Sequence, residues 1–203
     1  MFKENPSFTD RLKEALRPTP MKRRIEFTTQ KLRIQSSHLD KTVHQLESRD
    51  HTLHEKCVKA LETRDTSTAT LYANECVQLR KLAKTALSSQ ICLEQALLRL
   101  ETIEHFGDMV QGMSQVKGII GLVRTELEGR LPELSTGLGD VEDSLAGLTM
   151  EVGEAVDIEG ASVVASDESA RILKEADMMA EQKMKERFPE IPQMTTRDAG
   201  RVR

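Results

Sequence analysis

The chain has 203 residues, of which 38% are hydrophobic, 31% charged and 3% aromatic, with a formal net charge of −4. Five Phe, one Tyr and no Trp exclude an aromatic stacking platform for single-stranded nucleic acid and argue against a β-sandwich or barrel core. A highly charged, aromatic-poor chain with long stretches free of Gly and Pro reads instead as long, solvated α-helices. The length allows one domain, or one domain and a tail. The longest nearly apolar run, 116–123, includes Lys117 and two Gly, far short of the roughly 18 residues a membrane span needs. The first residues lack the apolar stretch of a secretory signal. Cys57, Cys76 and Cys92, odd in number and widely spaced, predict reduced thiols in a cytosol.

Residues 7–17 predict a short helix with Phe8, Leu12 and Leu16 on one face, flanked by Arg11, Lys13 and Arg17. Pro18 stops it, and 17–20 form a rigid link. No Gly or Pro follows over the 86 residues 21–106, too long for one ordinary helix. The break falls at 63–70, where hydroxyl and β-branched residues cluster and helix propensity is poorest. One helix is therefore expected over 21–62 and a second from about 68 to 113 or beyond. The first carries a sevenfold apolar repeat, Ile25, Leu32, Leu39, Leu46, Leu53 and Ala60, a narrow seam of the coiled-coil kind. Its other seam position reads Thr28, Gln35, Thr42, Arg49 and Lys56, a thin stripe. The second helix is richer in Leu. A hairpin turning near residue 66 brings Leu46 to the height of Leu87, and Leu39–Leu93, Leu53–Leu79 and Leu32–Leu100 fall in the same register. Four such matches predict an antiparallel αα-hairpin, a rod about 60 Å long at 1.5 Å per residue.

Gly107, Gly112, Gly118 and Gly121 make 107–121 the segment most easily bent, because each Gly costs a helix about 0.8–1 kcal/mol relative to Ala. It is the predicted hinge. Leu131–Pro132 marks a stop. Gly137, Gly139, Gly147 and Gly153 among acidic residues then predict a weak helix at best, and 158–165 a loop. Ser166 or Asp167 caps a last helix to about Arg187, with Ile172, Leu173, Ala176, Met179 and Ala180 as apolar positions. The segment 188–192, Phe-Pro-Glu-Ile-Pro, suits docking in extended form into a groove between helices, since proline lowers the entropy lost on binding. Four regions result: 1–20, amphipathic and basic; 21–131, the hairpin core with its hinge; 132–187, acidic and regulatory; 188–203, the proline-containing motif and tail.

Charge divides the chain. Residues 1–35 hold nine Lys/Arg against four Asp/Glu; residues 126–182 hold three against fifteen. A basic front calls for an anionic partner and can attract the acidic back. Arg11, Lys13, Arg17, Lys22, Arg23, Arg24, Lys31 and Arg33 form the basic set, with Met1, Phe2 and Phe8 as a shallow apolar wedge, a combination suited to an anionic bilayer. No nucleic-acid partner is expected. His51, His54 and Cys57, with His44 seven residues back, share one flank but match neither zinc-protease order; solvated histidines account for them better than a metal site. Cys57 and Cys76 fall at equal height and read as small seam residues rather than a disulfide. Gly118-x-x-Gly121 lacks the strand and the Lys-Ser/Thr of a phosphate loop. No catalytic constellation and no cofactor site presents itself, so the chain reads as a non-enzyme.

The order of these parts resembles the ESCRT-III family, specifically its archaeal CdvB-type cell-division members. The match runs from Arg17-Pro18-x-Pro20-x-Lys22-x-Arg24-Ile25, similar to the start of archaeal members, to Phe188-Pro189-Glu190-Ile191-Pro192. The latter resembles the proline-rich motif by which some members bind the MIT domain of an AAA+ ATPase. The likeness covers about residues 5–193. It implies an all-α fold, a long antiparallel hairpin with additional shorter helices. It implies a cytoplasmic polymer subunit, peripheral on the inner membrane face at the division site. Such a subunit assembles with itself or with paralogues on anionic membrane, remodels it in division or vesicle budding, and is extracted by the ATPase. Phe188, Pro189, Ile191 and Pro192 then contact the ATPase and the basic set faces lipid. Only residues 193–203 follow the motif, which implies a shorter paralogue without the winged-helix extension of some members. The family's soluble closed form implies that the acidic region lies on the basic one and competes with lipid for it.

Overall fold

The computed structural model describes residues 21–103, 109–155 and 161–192. The expected helix at 7–17, the link after it, Gly107, and with them Met1, Phe2, Phe8, Arg11, Lys13 and Arg17, lie outside the described residues. Five helices appear among those described: α1 (Met21–Glu62), α2 (Thr66–Ile103), α3 (Met109–Leu127), α4 (Pro132–Ala155) and α5 (Ala161–Arg187). The fold is all-α, as expected. α1 and α2 form the antiparallel hairpin; α3 packs on α2, α4 on α3 and α1, and α5 folds back on α2 and α3.

The hairpin turn is three residues long and closes by backbone chemistry. Arg64 takes the left-handed conformation at φ 60°. Its N–H donates to the Leu61 carbonyl (3.0 Å), and the Asp65 N–H donates to the Ala60 carbonyl (2.9 Å), the two bonds of a Schellman end. Asp65 then caps α2, accepting the Thr68 N–H at 3.0 Å, and Thr68 holds its carboxyl below the usual range.

Leu32, Leu39, Leu87, Leu93 and Leu100 are buried in one core, with Leu46 packed against it. The second flank of the α1 seam differs from expectation. It runs through Thr29, Val43, Asp50 and Cys57, all buried, rather than through Gln35, Thr42, Arg49 and Lys56, none of which is buried. The partner helix covers the flank four residues on from Ile25 and Leu39, not three. Thr28 is buried as well.

The acidic, Gly-containing region is not a weak helix but 24 residues of regular α4. Pro132 starts it, after Leu131 accepts the N–H groups of Leu134 and Ser135 at 3.1 Å each, the position where proline's missing N–H costs nothing. Leu134, Leu138, Val141, Leu145 and Leu148 are buried at helical spacing and override the low propensity of the glycines. The loop expected over 158–165 is likewise shortened: α5 is helical from Ala161.

Gly112, Gly118 and Gly121 lie inside continuous α3, so the predicted hinge is helical in this conformation. Gly112 marks a close approach instead: a Cβ there would fall 2.5 Å from Ile103 Cδ1 and Cγ1. At Gly139 of α4 the nearest such atom, Arg124 Nη1, lies 3.9 Å away. Gly139→Ala should therefore stabilise the chain by about 0.5–1 kcal/mol, and Gly112→Ala should destabilise it by about 1–3 kcal/mol through overpacking. Urea midpoints check both; shifts of the same sign would disprove the contact reading of Gly112.

Candidate functional site

The end of α5 returns to the hairpin. Phe188 is 6% exposed and sits among Leu46 and Leu53 of α1, Leu79 and Ala83 of α2, and Met184 of α5. Its N–H donates to the Met184 carbonyl at 3.0 Å, so the helical path carries the ring into its seat. The Arg80 guanidinium lies 5.8 Å from the ring centroid. Arg80 also donates from Nε and Nη2 to both oxygens of Asp50, at 2.7 Å each. Asp50 is fully buried. Beyond the ring, His54 Nε2 donates to the Glu190 carbonyl at 3.1 Å, and Pro189, Ile191 and Pro192 are half-buried. Of the residues expected to meet an ATPase, Phe188 is thus occupied by the chain's own hairpin.

Two polar clusters fasten the rest of α5. Near its start, Arg99 of α2 donates to Gln115 Oε1 of α3 (2.7 Å) and to Glu168 Oε1 of α5 (2.6 Å), and Gln115 Nε2 donates to Glu168 Oε2 (2.5 Å). Midway, Lys84 of α2 binds Asp177 at 3.1 Å and Glu181 at 3.6 Å, and its pKa is raised, chiefly by the hydrogen bond to Asp177. Among the described side chains of α5, Ile172, Ala176 and Ala180 are buried, and an alanine methyl contributes about 0.8 kcal/mol on burial. Leu173 and Met184 add partly buried apolar contact, so polar and apolar contacts share in holding α5.

The basic face is divided among neighbours. Lys22 and Arg23 are exposed at the start of α1. Arg24 pairs with Glu151 of α4. Lys31 donates to Ser144 Oγ of α4 at 3.2 Å and lies over the Phe27 ring at 4.9 Å. Arg33, on the other flank, pairs with Glu101 of α2 at 2.6 Å. The acidic helix α4 therefore does lie along the basic start of α1. Arg23, Arg24, Phe27, Thr28, Ser144 and Leu148 line a cleft of about 370 Å³ between the two helices, and Phe27, 62% exposed, leaves an aromatic ring beside the cations.

The possible metal ligands do not converge. His51 is exposed, His54 points to Glu190, and buried Cys57 lies 3.5 Å from the Ala69 carbonyl. Among the described residues no three of His, Cys, Asp and Glu are placed to share an ion. Cys57, Cys76 and Cys92 are free and buried. Burial pushes the Cys76 thiol up to about 11, with Asp50 adding to it, and Cys92 up to about 12; both are neutral thiols near pH 7. No described helix is long and apolar enough to cross a membrane.

Sequence reasoning passed over the Asp50–Arg80 pair. The signal was present: Asp50 stands seven residues after Val43 and seven before Cys57, in the buried flank, and a charge in such a line calls for a partner across the hairpin.

An antiparallel helical hairpin with three helices closed over it, the last tied down by its own proline-flanked Phe, defines a helical protein of the ESCRT-III-like class. The chain is 39% identical over 173 residues to cell division protein B1 of Sulfolobus acidocaldarius, spanning 85% of this chain and 81% of that protein. It is 29% identical over 162 residues to cell division protein B of the same organism, spanning 80% of this chain and 62% of that protein. The chain belongs to this family of archaeal cell division proteins, the CdvB family. No family profile matches it, and no solved structure does.

Proposed function

We propose that this chain is a non-enzymatic, ESCRT-III-like polymer subunit of archaeal cell division. It assembles filaments with itself or with paralogues on anionic membrane at the division site and drives constriction and scission. An AAA+ ATPase then removes it, its MIT domain gripping Phe188, Pro189, Ile191 and Pro192. The observation that carries this reading is the likeness to cell division protein B1 over 85% of the chain. The folded-back arrangement supports the rest. α4 sets Glu151 against Arg24, so the surface offered to lipid is partly neutralised while the chain is closed. The seat of α5 includes ion pairs of Lys84 and Arg99, contacts that salt can loosen. Release of α5 frees the ATPase motif, and release of α4 frees the cationic end of α1.

Adsorption to vesicles tests it. The full chain should co-sediment with anionic vesicles, not with neutral ones, and release as salt rises. Each Lys or Arg near an anionic surface is worth about 1 kcal/mol. Reversing Lys22, Arg23 and Arg24 to Glu should therefore weaken adsorption by roughly a hundredfold or more. Unchanged adsorption would overturn the membrane reading. A wild-type chain that stays in solution with anionic vesicles would instead mark a coiled-coil adaptor that binds proteins only.

A further inference from the structure

Glu126, in the last turn of α3, faces into the junction of α2, α3 and α5. Its Oε2 is shut off from solvent and has no hydrogen-bond partner. Four groups act on it or on its immediate surroundings. From α5 comes Asp177, a like charge; from α2 come Lys84 and the Cys92 thiol; from the turn after α3 comes Arg130. Neither cation is dedicated to Glu126. Lys84 is engaged by Asp177 and Glu181, and Arg130 Nη1 donates to Thr85 Oγ1 at 2.7 Å. Cys92 is a neutral thiol. α4, also packed on α3, turns Glu142 toward Arg124 (2.7 Å) and brings no positive charge to Glu126. A carboxylate with a buried bare oxygen, set beside a second carboxylate whose lysine is already shared, is one proton short of a satisfied interface.

We propose that seating α5 on α2 and α3 takes up a proton at Glu126, so that acid strengthens closure of this chain and rising pH loosens it. The inference rests on the reading above that α5 leaves its seat as a unit. Burial, first, and Asp177, second, raise the Glu126 pKa; Asp177 is carried by α5, so that cause belongs to the closed form and goes when α5 departs. The closed state therefore holds the proton to higher pH than the open state. Below the ordinary carboxylate range both states are protonated and closure carries no penalty. Between that range and the raised value, closure binds a proton. Above it, closure must hold an ionised carboxylate with one oxygen shut off from solvent, so the opening equilibrium grows with pH across the window. Each unit of separation between the two affinities is about a tenfold change in that equilibrium.

Amide hydrogen exchange of the full chain, corrected for intrinsic rates and followed upward from the ordinary carboxylate range through neutral pH, reads the opening of α5 against the hairpin helices. In the wild type, α5 protection should fall severalfold or more as pH rises while α1 and α2 hold theirs. Glu126→Gln, with an uncharged amide in place of the carboxyl, should keep α5 protected with no such slope. Asp177→Asn, which removes the facing charge, should flatten the slope too, at lower overall protection because Lys84 loses a partner. Equal slopes in wild type and Glu126→Gln, or a flat wild type, overturn the proposal. Exchange of α5 that never separates from that of the hairpin overturns it as well, and alone among these outcomes also removes the reading of a detachable α5. No vesicle enters the assay, so its result stands apart from the membrane test.

Discussion

Asp50→Ala should lower the unfolding free energy by about 3–5 kcal/mol, seen as a large drop in urea midpoint. Asp50 is 0% exposed, and both its oxygens receive Arg80, whose side chain is 16% exposed. A bidentate arginine–carboxylate contact is among the strongest hydrogen-bonded arrangements available to side chains, yet its attraction mostly offsets the cost of taking two ions out of water. The large effect arises when one partner goes and the other is left buried. Here the residue left would be a guanidinium beneath Phe188 and beside Leu79. The double variant Asp50→Leu with Arg80→Met removes both charges and keeps much of the volume, so it should recover most of the loss. An Asp50→Ala midpoint equal to wild type would disprove the assignment of a dry ion pair at the hairpin seam.

Much of the hairpin was legible because its determinants are local and repetitive. An 86-residue stretch without Gly or Pro leaves few ways to fold, and the leucine register sets where it turns. The turn was placed by the poor helix propensity of 63–70, whereas the Asp65 cap, which starts the second helix at Thr66, was not read. α4 was not legible, because its glycines lower propensity while Leu134, Leu138, Val141, Leu145 and Leu148 act only once α1 and α3 are there to cover them. Asp50 was missed for a geometric reason: a heptad pattern admits a second seam position three or four residues on, and only packing decides between them. Phe188 was legible as a docking residue, but its seat within the same chain was not. Leu46, Leu53, Leu79 and Ala83 come from two helices and meet only in the hairpin. Charge asymmetry did carry over: the acidic α4 lies on basic α1, although Arg33 turns away from it toward Glu101.

The seat of Phe188 makes two contacts mutually exclusive, with a consequence for ATPase capture. A ring that is 6% exposed cannot also lie in a foreign groove, so under the proposed function an MIT domain would bind only the fraction of chains whose latch is undone. Its apparent affinity is the intrinsic one reduced by that fraction. Leu79→Ala cuts the socket and leaves the motif intact. Truncating a buried leucine costs about 2 kcal/mol or more; the share of that loss made against Phe188, rather than against Leu53 of the hairpin, raises the undone fraction, so affinity for the MIT domain should rise severalfold and by at most roughly thirtyfold. Phe188→Ala should undo the latch at least as far and yet lose the MIT domain, because it removes the ring from both contacts. The two variants thus share a loosened α5 and part in opposite directions on binding. Titration of the isolated MIT domain into each chain measures this directly. Should Leu79→Ala bind no better than wild type, the seat does not mask the motif, and the proposed capture of Phe188 by an MIT domain loses its link to closure.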